Sequence, residues 1–90
     1  MPDPYEYDTL PSFDKKAKKY LKKDELAKQR VKNKVKEILK DPHHYKSLSN
    51  EMKGLRRVHV GSFVLIFEID EKRRAVIFVD YEHHDKVYKN

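Results

Sequence analysis

From Leu10 onward the apolar residues return at helical spacing: Leu10, Phe13, Ala17, Tyr20 and Leu21, with lysines filling the other faces as far as Lys23. Thr9 or Ser12 can cap this segment, and Pro11 is tolerated in its first turn. A second stripe follows, Ala27, Val31, Val35, Ile38 and Leu39, with Asp24 placed to cap it. It stops at Asp41-Pro42, because proline pushes the residue before it out of the helical region. Two helices separated by a short break at residues 22–24 predict a helical hairpin. Ahead of them, Tyr5-Glu6-Tyr7-Asp8 alternates aromatic with acidic and predicts a short strand.

A polar connection over residues 43–54 closes on Gly54, and the period then changes from helical to two. Leu55–Val60, Phe63–Asp70 and residues 74–81 read as three strands. Gly61-Ser62 is a two-residue hairpin turn, and Glu71-Lys72-Arg73 is a slightly longer one. Phe63, Leu65, Phe67 and Ile69 share one face of the middle strand, the face assigned to the helix-covered core, and Ile77, Val79 and Tyr81 are expected to join them. With Val58 and Val60 also facing the core, Arg57 and His59 share the opposite face, which is expected to be bare. The predicted fold class is α+β: one two-layer domain over residues 1–90, an N-terminal helical hairpin packed on an antiparallel β-sheet meander.

Composition narrows the partners. The chain has no cysteine, so disulfides and thiolate zinc sites are excluded. The acidic start, Met1-Pro2-Asp3-Pro4-Tyr5-Glu6, has no signal-peptide core. The longest apolar runs, residues 63–67 and 75–79, are far shorter than the roughly 20 residues that span a bilayer. A cytoplasmic protein with no membrane partner is expected. The net charge is +6, and residues 15–40 hold twelve Lys and Arg against three acids. Such a patch draws polyanions. The competing reading is a solvated lysine-rich helical surface, a pattern frequent in proteins of hot environments.

The chain closes on Glu82-His83-His84-Asp85-Lys86-Val87-Tyr88-Lys89-Asn90. A tail entering there, along the rim of the bare face, sets His84, Lys86 and Tyr88 near Arg57 and His59. Arginine pairs with phosphate, a tyrosine ring stacks on an unpaired base, and histidine moves protons near neutrality. These are the needs of an RNA site. The adjacent pairs His43-His44 and His83-His84 invite a metal reading. Neighbouring side chains diverge in extended backbone, however, and no helical His-x-x-x-His supports them, so neither metal nor cofactor is expected.

The run Gly54-Leu55-Arg56-Arg57-Val58-His59-Val60-Gly61-Ser62-Phe63, then Leu65-Ile66-Phe67-Glu68-Ile69, resembles the RelE/ParE family of toxins. The closing Tyr81-Glu82-His83-His84-Asp85-Lys86-Val87-Tyr88 is similar to that family's C-terminal His-Arg-x-x-Val-Tyr pattern. Phe13 at the start of the first helix, Asp41-Pro42 at the end of the second and Leu48 in the following loop agree. The resemblance implies the toxin of a toxin–antitoxin system: a ribosome-dependent endoribonuclease that cuts mRNA in the A site, using the neighbouring 2′-hydroxyl as nucleophile and no metal. It further implies a cognate antitoxin, acidic or amphipathic, that covers the sheet face or displaces the C-terminal tail, and binding of operator DNA only as the toxin–antitoxin complex.

Carried over residue by residue, Arg57 and His59 stand where RelE toxins place two basic residues, His84 where many have an arginine, and Tyr88 where they have a near-terminal tyrosine. Val64 departs from the pattern, since many members carry an arginine there; Arg56 or Lys86 is the expected substitute. His59 is then the candidate base, against a plain surface histidine, and Arg57 the phosphate clamp, against a cross-strand ion pair with Glu68 or Asp80. His84 is the candidate acid or phosphate ligand. Tyr88 orients or stacks on a base, being a poor proton donor near pH 7. Lys53, Arg56 and Lys86 are the candidate RNA-binding cations. Two alternatives stand beside this: a ParE-like, non-enzymatic toxin aimed at DNA gyrase, and a catalytically degenerate RelE-fold protein.

Overall fold

Both apolar stripes become helices, α1 Pro11–Leu21 and α2 Glu25–Lys40, in a computed structural model that describes residues 3–47 and 54–87. Asp24 caps α2 as expected, its carboxylate accepting the Ala27 N–H at 2.9 Å. The start of α1 differs from expectation. Its N-cap is Leu10, which has no side chain able to cap, and Pro11 occupies the first turn, where a missing N–H costs nothing. Neither Thr9 nor Ser12 caps the helix. Thr9 is committed to a strand, and the Ser12 hydroxyl donates to the Val79 carbonyl at 2.6 Å, tying α1 to the sheet.

The sheet has the strand order β1-β4-β3-β2, formed by β1 Glu6–Thr9, β2 Leu55–Val60, β3 Phe63–Asp70 and β4 Ala75–His83. The last three make the expected antiparallel meander, and β1 adds to it in parallel with β4, so the sheet is mixed. Gly61 has φ +62°, which the first position of a tight hairpin turn requires and glycine adopts without strain. A short 3₁₀ turn, Pro42–His44, follows α2.

The alternation of β4 is broken once. Ile66 lies opposite Asp80 and Phe67 opposite Phe78, so Val79 is an extra, bulged residue. Before it Val76 and Phe78 face the helices, and after it Tyr81 does. The expectation for Tyr81 stands, while Ile77 and Val79 are turned off the helix-covered face by the change of phase. The main core joins Phe13 of α1 and Val31 and Ile38 of α2 to Leu65, Phe67, Val76, Phe78 and Tyr81 of the sheet. Phe63 and Tyr81 stack with ring centroids 4.9 Å apart.

The opposite face of the sheet is not bare. Val64 is wholly buried and Ile66 nearly so, packed with Leu55, Val79 and Val87. Residues 84–87 do not run along a rim; they form a helical turn, α3 His84–Val87, which lays Val87 on this second cluster. Two apolar residues at the centre of β3 gain more from that cover than from contact with water.

One buried carboxylate ties these pieces together. Glu82 is 8% exposed. It takes the Lys16 ammonium at 2.9 Å, the Tyr20 hydroxyl at 2.7 Å and its neighbour's His83 N–H at 2.9 Å. Lys16 also reaches Asp80 at 3.1 Å. Burial by itself pushes the Glu82 carboxyl up, but the bonds from Lys16, Tyr20 and His83 outweigh it and hold the group down at about 2. A carboxylate whose folded-state pKa is depressed contributes stability that is complete above its unfolded value, near pH 4.3, and fades as the pH falls towards 2. Glu82→Gln is therefore expected to lower stability by about 1–3 kcal/mol at pH 7 and to flatten the acid limb between roughly pH 4.3 and 2. Urea unfolding at a series of pH values measures both.

Candidate functional site

In β2, Arg57 lies opposite Ile66 and His59 opposite Val64, whereas Val58 and Val60 lie opposite Leu65 and Phe63. Residues directly paired across two strands share a face. Arg57 and His59 are thus on the α3 side and Val58 and Val60 on the helical side, as the alternation requires. The Ser62 carbonyl, in the β2–β3 turn, accepts the His84 N–H at 2.8 Å and so pins the start of α3 beside the end of β2. As a result the His59 and His84 rings come together, with centroids 5.4 Å apart and planes 40° off parallel. A residue from the middle of the chain and one from its end meet on one surface, with Arg57 two residues back along the same strand face.

The other candidates divide. Arg56 pairs with Phe67, so it points to the helical side, where its guanidinium donates to the Tyr45 carbonyl at 2.7 Å. That geometry removes it as a substitute for the cation missing at Val64. Lys86 also turns away from His59: its ammonium donates to the Tyr20 hydroxyl at 3.3 Å and lies 3.9 Å from Glu82. It braces α3 against α1. Lys53 and Tyr88 lie outside the described residues, as does Leu48.

The side chains of His83 and His84 diverge. His83 packs edge-on to Phe63 on the helical side, its ring 5.3 Å away, while its neighbour His84 turns to His59. Asp85 sits near both, 3.7 Å from His83 Nδ1 and 3.6 Å from His84 Nδ1. At the far end of the sheet, His43 bonds Glu71, which also accepts the Tyr5 hydroxyl at 3.3 Å.

A cleft of about 370 Å³ runs between α2 and the end of β2, lined by Arg30, Asn33, Lys34, Glu37, His59, Val60 and Gly61. Arg30, Asn33, Lys34 and Glu37 fall at i, i+3, i+4 and i+7, one polar strip beside the apolar stripe. That spacing is legible in the sequence, but what the strip faces is not, because only the packing of α2 turns it towards His59. A second, apolar groove of about 520 Å³ lies between the helices and β1, walled by Phe13, Val31, Val35 and Phe78 and edged by Lys28, Lys32 and Lys36.

Comparison with known proteins agrees with this architecture. Residues 11–88 match the family described as the ParE toxin of the parDE type II toxin–antitoxin system. A Methanocaldococcus jannaschii protein designated a candidate toxin, RelE4, is 44% identical over 86 residues, which is 94% of this chain and 92% of that protein. The toxin–antitoxin complex RelBE2 of Mycobacterium tuberculosis contains a chain that superposes with a TM-score of 0.77 at 18% identity, covering 90% of this chain and 99% of that one. A chain of the intact Escherichia coli RelBE complex gives a TM-score of 0.72 at 17% identity, covering 88% and 95%.

Val64 is fully buried under α3 at the centre of this surface. Val64→Arg is expected to lower the unfolding free energy by about 2–4 kcal/mol, because it forces a cation into an apolar cluster or lifts α3 away. Denaturant unfolding measures the loss, and a chain that keeps its stability would show that α3 yields without cost.

Proposed function

The chain belongs to the ParE toxin family of type II toxin–antitoxin systems, and we propose that it is the RelE-like member of a pair, a ribosome-dependent endoribonuclease that cuts mRNA in the A site. The observation that carries this reading is the meeting of His59 and His84 on the face that bears Arg57. Cleavage by an internal 2′-hydroxyl needs a group to take its proton, a group to give a proton to the departing oxygen, and a cation for the charge that grows on phosphorus.

His59 accepts the 2′-hydroxyl proton, and the freed oxygen forms a bond to phosphorus. Arg57 holds the non-bridging oxygens as they gain charge, its guanidinium matching their geometry. The bond to the 5′-oxygen breaks, and His84 gives that oxygen its proton. The products are a 2′,3′-cyclic phosphate and a 5′-hydroxyl end. Tyr88 supplies a ring on which a base stacks or is oriented, and Lys53 and the helical lysines hold phosphates without regard to sequence. The work is done in the cytoplasm, where ribosomes and mRNA are.

An antitoxin is the second partner. The groove between the helices and β1, apolar inside and edged by Lys28, Lys32 and Lys36, suits an acidic amphipathic segment. Operator DNA is bound only by the joined pair.

A specific observation favours a second reading. The matched family is that of ParE toxins, and the position that carries arginine in many RelE toxins is the buried Val64. A non-enzymatic poison of DNA gyrase fits both facts. Purified chain, ribosomes and a defined mRNA decide between the two. Codon-phased cuts ending in a cyclic phosphate are expected, and Arg57→Ala with His59→Ala is expected to slow them by about 10²–10⁴-fold while circular dichroism stays unchanged. Intact mRNA together with gyrase-dependent DNA breaks would overturn the ribonuclease reading.

A further inference from the structure

From the cleft between α2 and the end of β2 we infer a second nucleotide subsite, one that holds the RNA residue adjoining the scissile phosphate and reads its base. This rests on the ribonuclease reading above, and it assigns new roles to four residues of α2. Its geometric basis is that His59 belongs to both surfaces: its ring meets His84 on the α3 side, and the same residue lines the cleft. β2 is the edge of the four-stranded sheet; residues 46 and 47 bond its outer side at Arg56 and Arg57, and among the described residues no further strand lies beyond His59. A single-stranded RNA whose phosphate lies at His59 and Arg57 has a short path over the edge of the sheet into the cleft.

The lining matches what a nucleotide presents. Arg30 reaches the hairpin turn, with Nη1 3.8 Å from where a Cβ on Gly61 would stand, and it lines the same cleft as His59. Lys34 is one helical turn further on, and together the two cations suit one phosphate. The Lys34 ammonium lies 2.9 Å from Glu37, which fixes the carboxylate at the same end of the strip. Asn33 accepts a hydrogen bond from the Gln29 amide at 3.1 Å, which sets its orientation. A carboxylate beside an amide offers acceptors and donors to the polar edge of an unstacked base, and carboxylates select bases with exocyclic or ring N–H donors. The volume of about 370 Å³ falls within the roughly 300–1,000 Å³ of small-molecule pockets. All four residues lie outside the main core, so they are free to be chosen for what they bind.

The test uses binding alone. The full chain is titrated with 2′-fluoro RNA oligonucleotides, which lack the attacking hydroxyl, two and four nucleotides long. Fluorescence anisotropy is read at several salt concentrations. Arg30→Ala with Lys34→Ala is expected to weaken tetranucleotide binding about tenfold and to make the logarithmic salt slope shallower by about 1, while dinucleotide binding changes less than about twofold. Glu37→Gln is expected to change the ranking of tetranucleotides that differ at one base, with the salt slope preserved. An equal loss for both lengths, tetranucleotide affinity unchanged in the double variant, or no binding by the unaltered chain overturns the subsite. An unchanged ranking in Glu37→Gln overturns the base reading. Selective binding without cleavage on ribosomes would instead defeat the ribonuclease reading and leave the subsite standing.

Discussion

The carboxylate of Glu82 is the contact on which the arrangement of this protein turns. It lies at the end of β4, where α1, the sheet and the C-terminal turn converge, and it is held by Lys16 and Tyr20 from α1 and by the backbone of His83. Lys86 closes the circle by bonding Tyr20 from α3. A buried charge is costly unless its oxygens are satisfied. Glu82 stays ionised because Lys16 and Tyr20 of α1 and the His83 N–H of β4 satisfy its oxygens, which holds its pKa at about 2. The consequence for the candidate site is indirect but definite: α3 is braced from the α1 side by this network and from the β2 side by the bond between His84 and Ser62. His84 meets His59 because α3 has little choice of position.

The bulge at Val79 is the second constraint. By inserting one residue into β4 it puts Phe78 and Tyr81 on the same face, which lets the core extend under both helices. It also releases Val79 to the second cluster with Val64 and Ile66. The sheet thus has two unequal apolar faces, one covered by a helical hairpin and the other, among the described residues, by the single turn α3. The fold is that of the RelE chains in the two toxin–antitoxin complexes, and Val64 is part of its second apolar cluster.

The lysines are not one population. Lys16 and Lys34 are drawn into ion pairs with Glu82 and Glu37, and burial of the partners makes the first of these structural. Lys28, Lys32 and Lys36 edge an apolar groove, and Arg30 and Lys34 flank the end of β2. Lys16 acts from α1, while α2 serves two surfaces, the groove and the end of β2, with residues that composition cannot tell apart. What separates them is only the direction each side chain takes from α2.

Much of this was legible before any coordinates. The 3.6-residue stripes, the capping Asp24, the proline stop at Asp41-Pro42 and the alternation of β2 and β3 placed two helices against a sheet, and alternation alone put Arg57 and His59 on the face away from the helices. Local rules suffice there, because each depends on neighbours a few residues away. They failed wherever a distant contact decided. Ser12 bonds Val79 and leaves the helix start uncapped, a bulge inverts Ile77 and Val79, and the buried pair Val64 and Ile66 draws the tail into a helical turn and covers a face expected to be open. Arg56 and Lys86 found partners in Tyr45 and Tyr20 that are remote in sequence. The order of elements predicts the meeting of His59 with His84, but the clasp beside it, Glu82 with Lys16 and Tyr20, exists only when α1 and β4, far apart in sequence, are packed together.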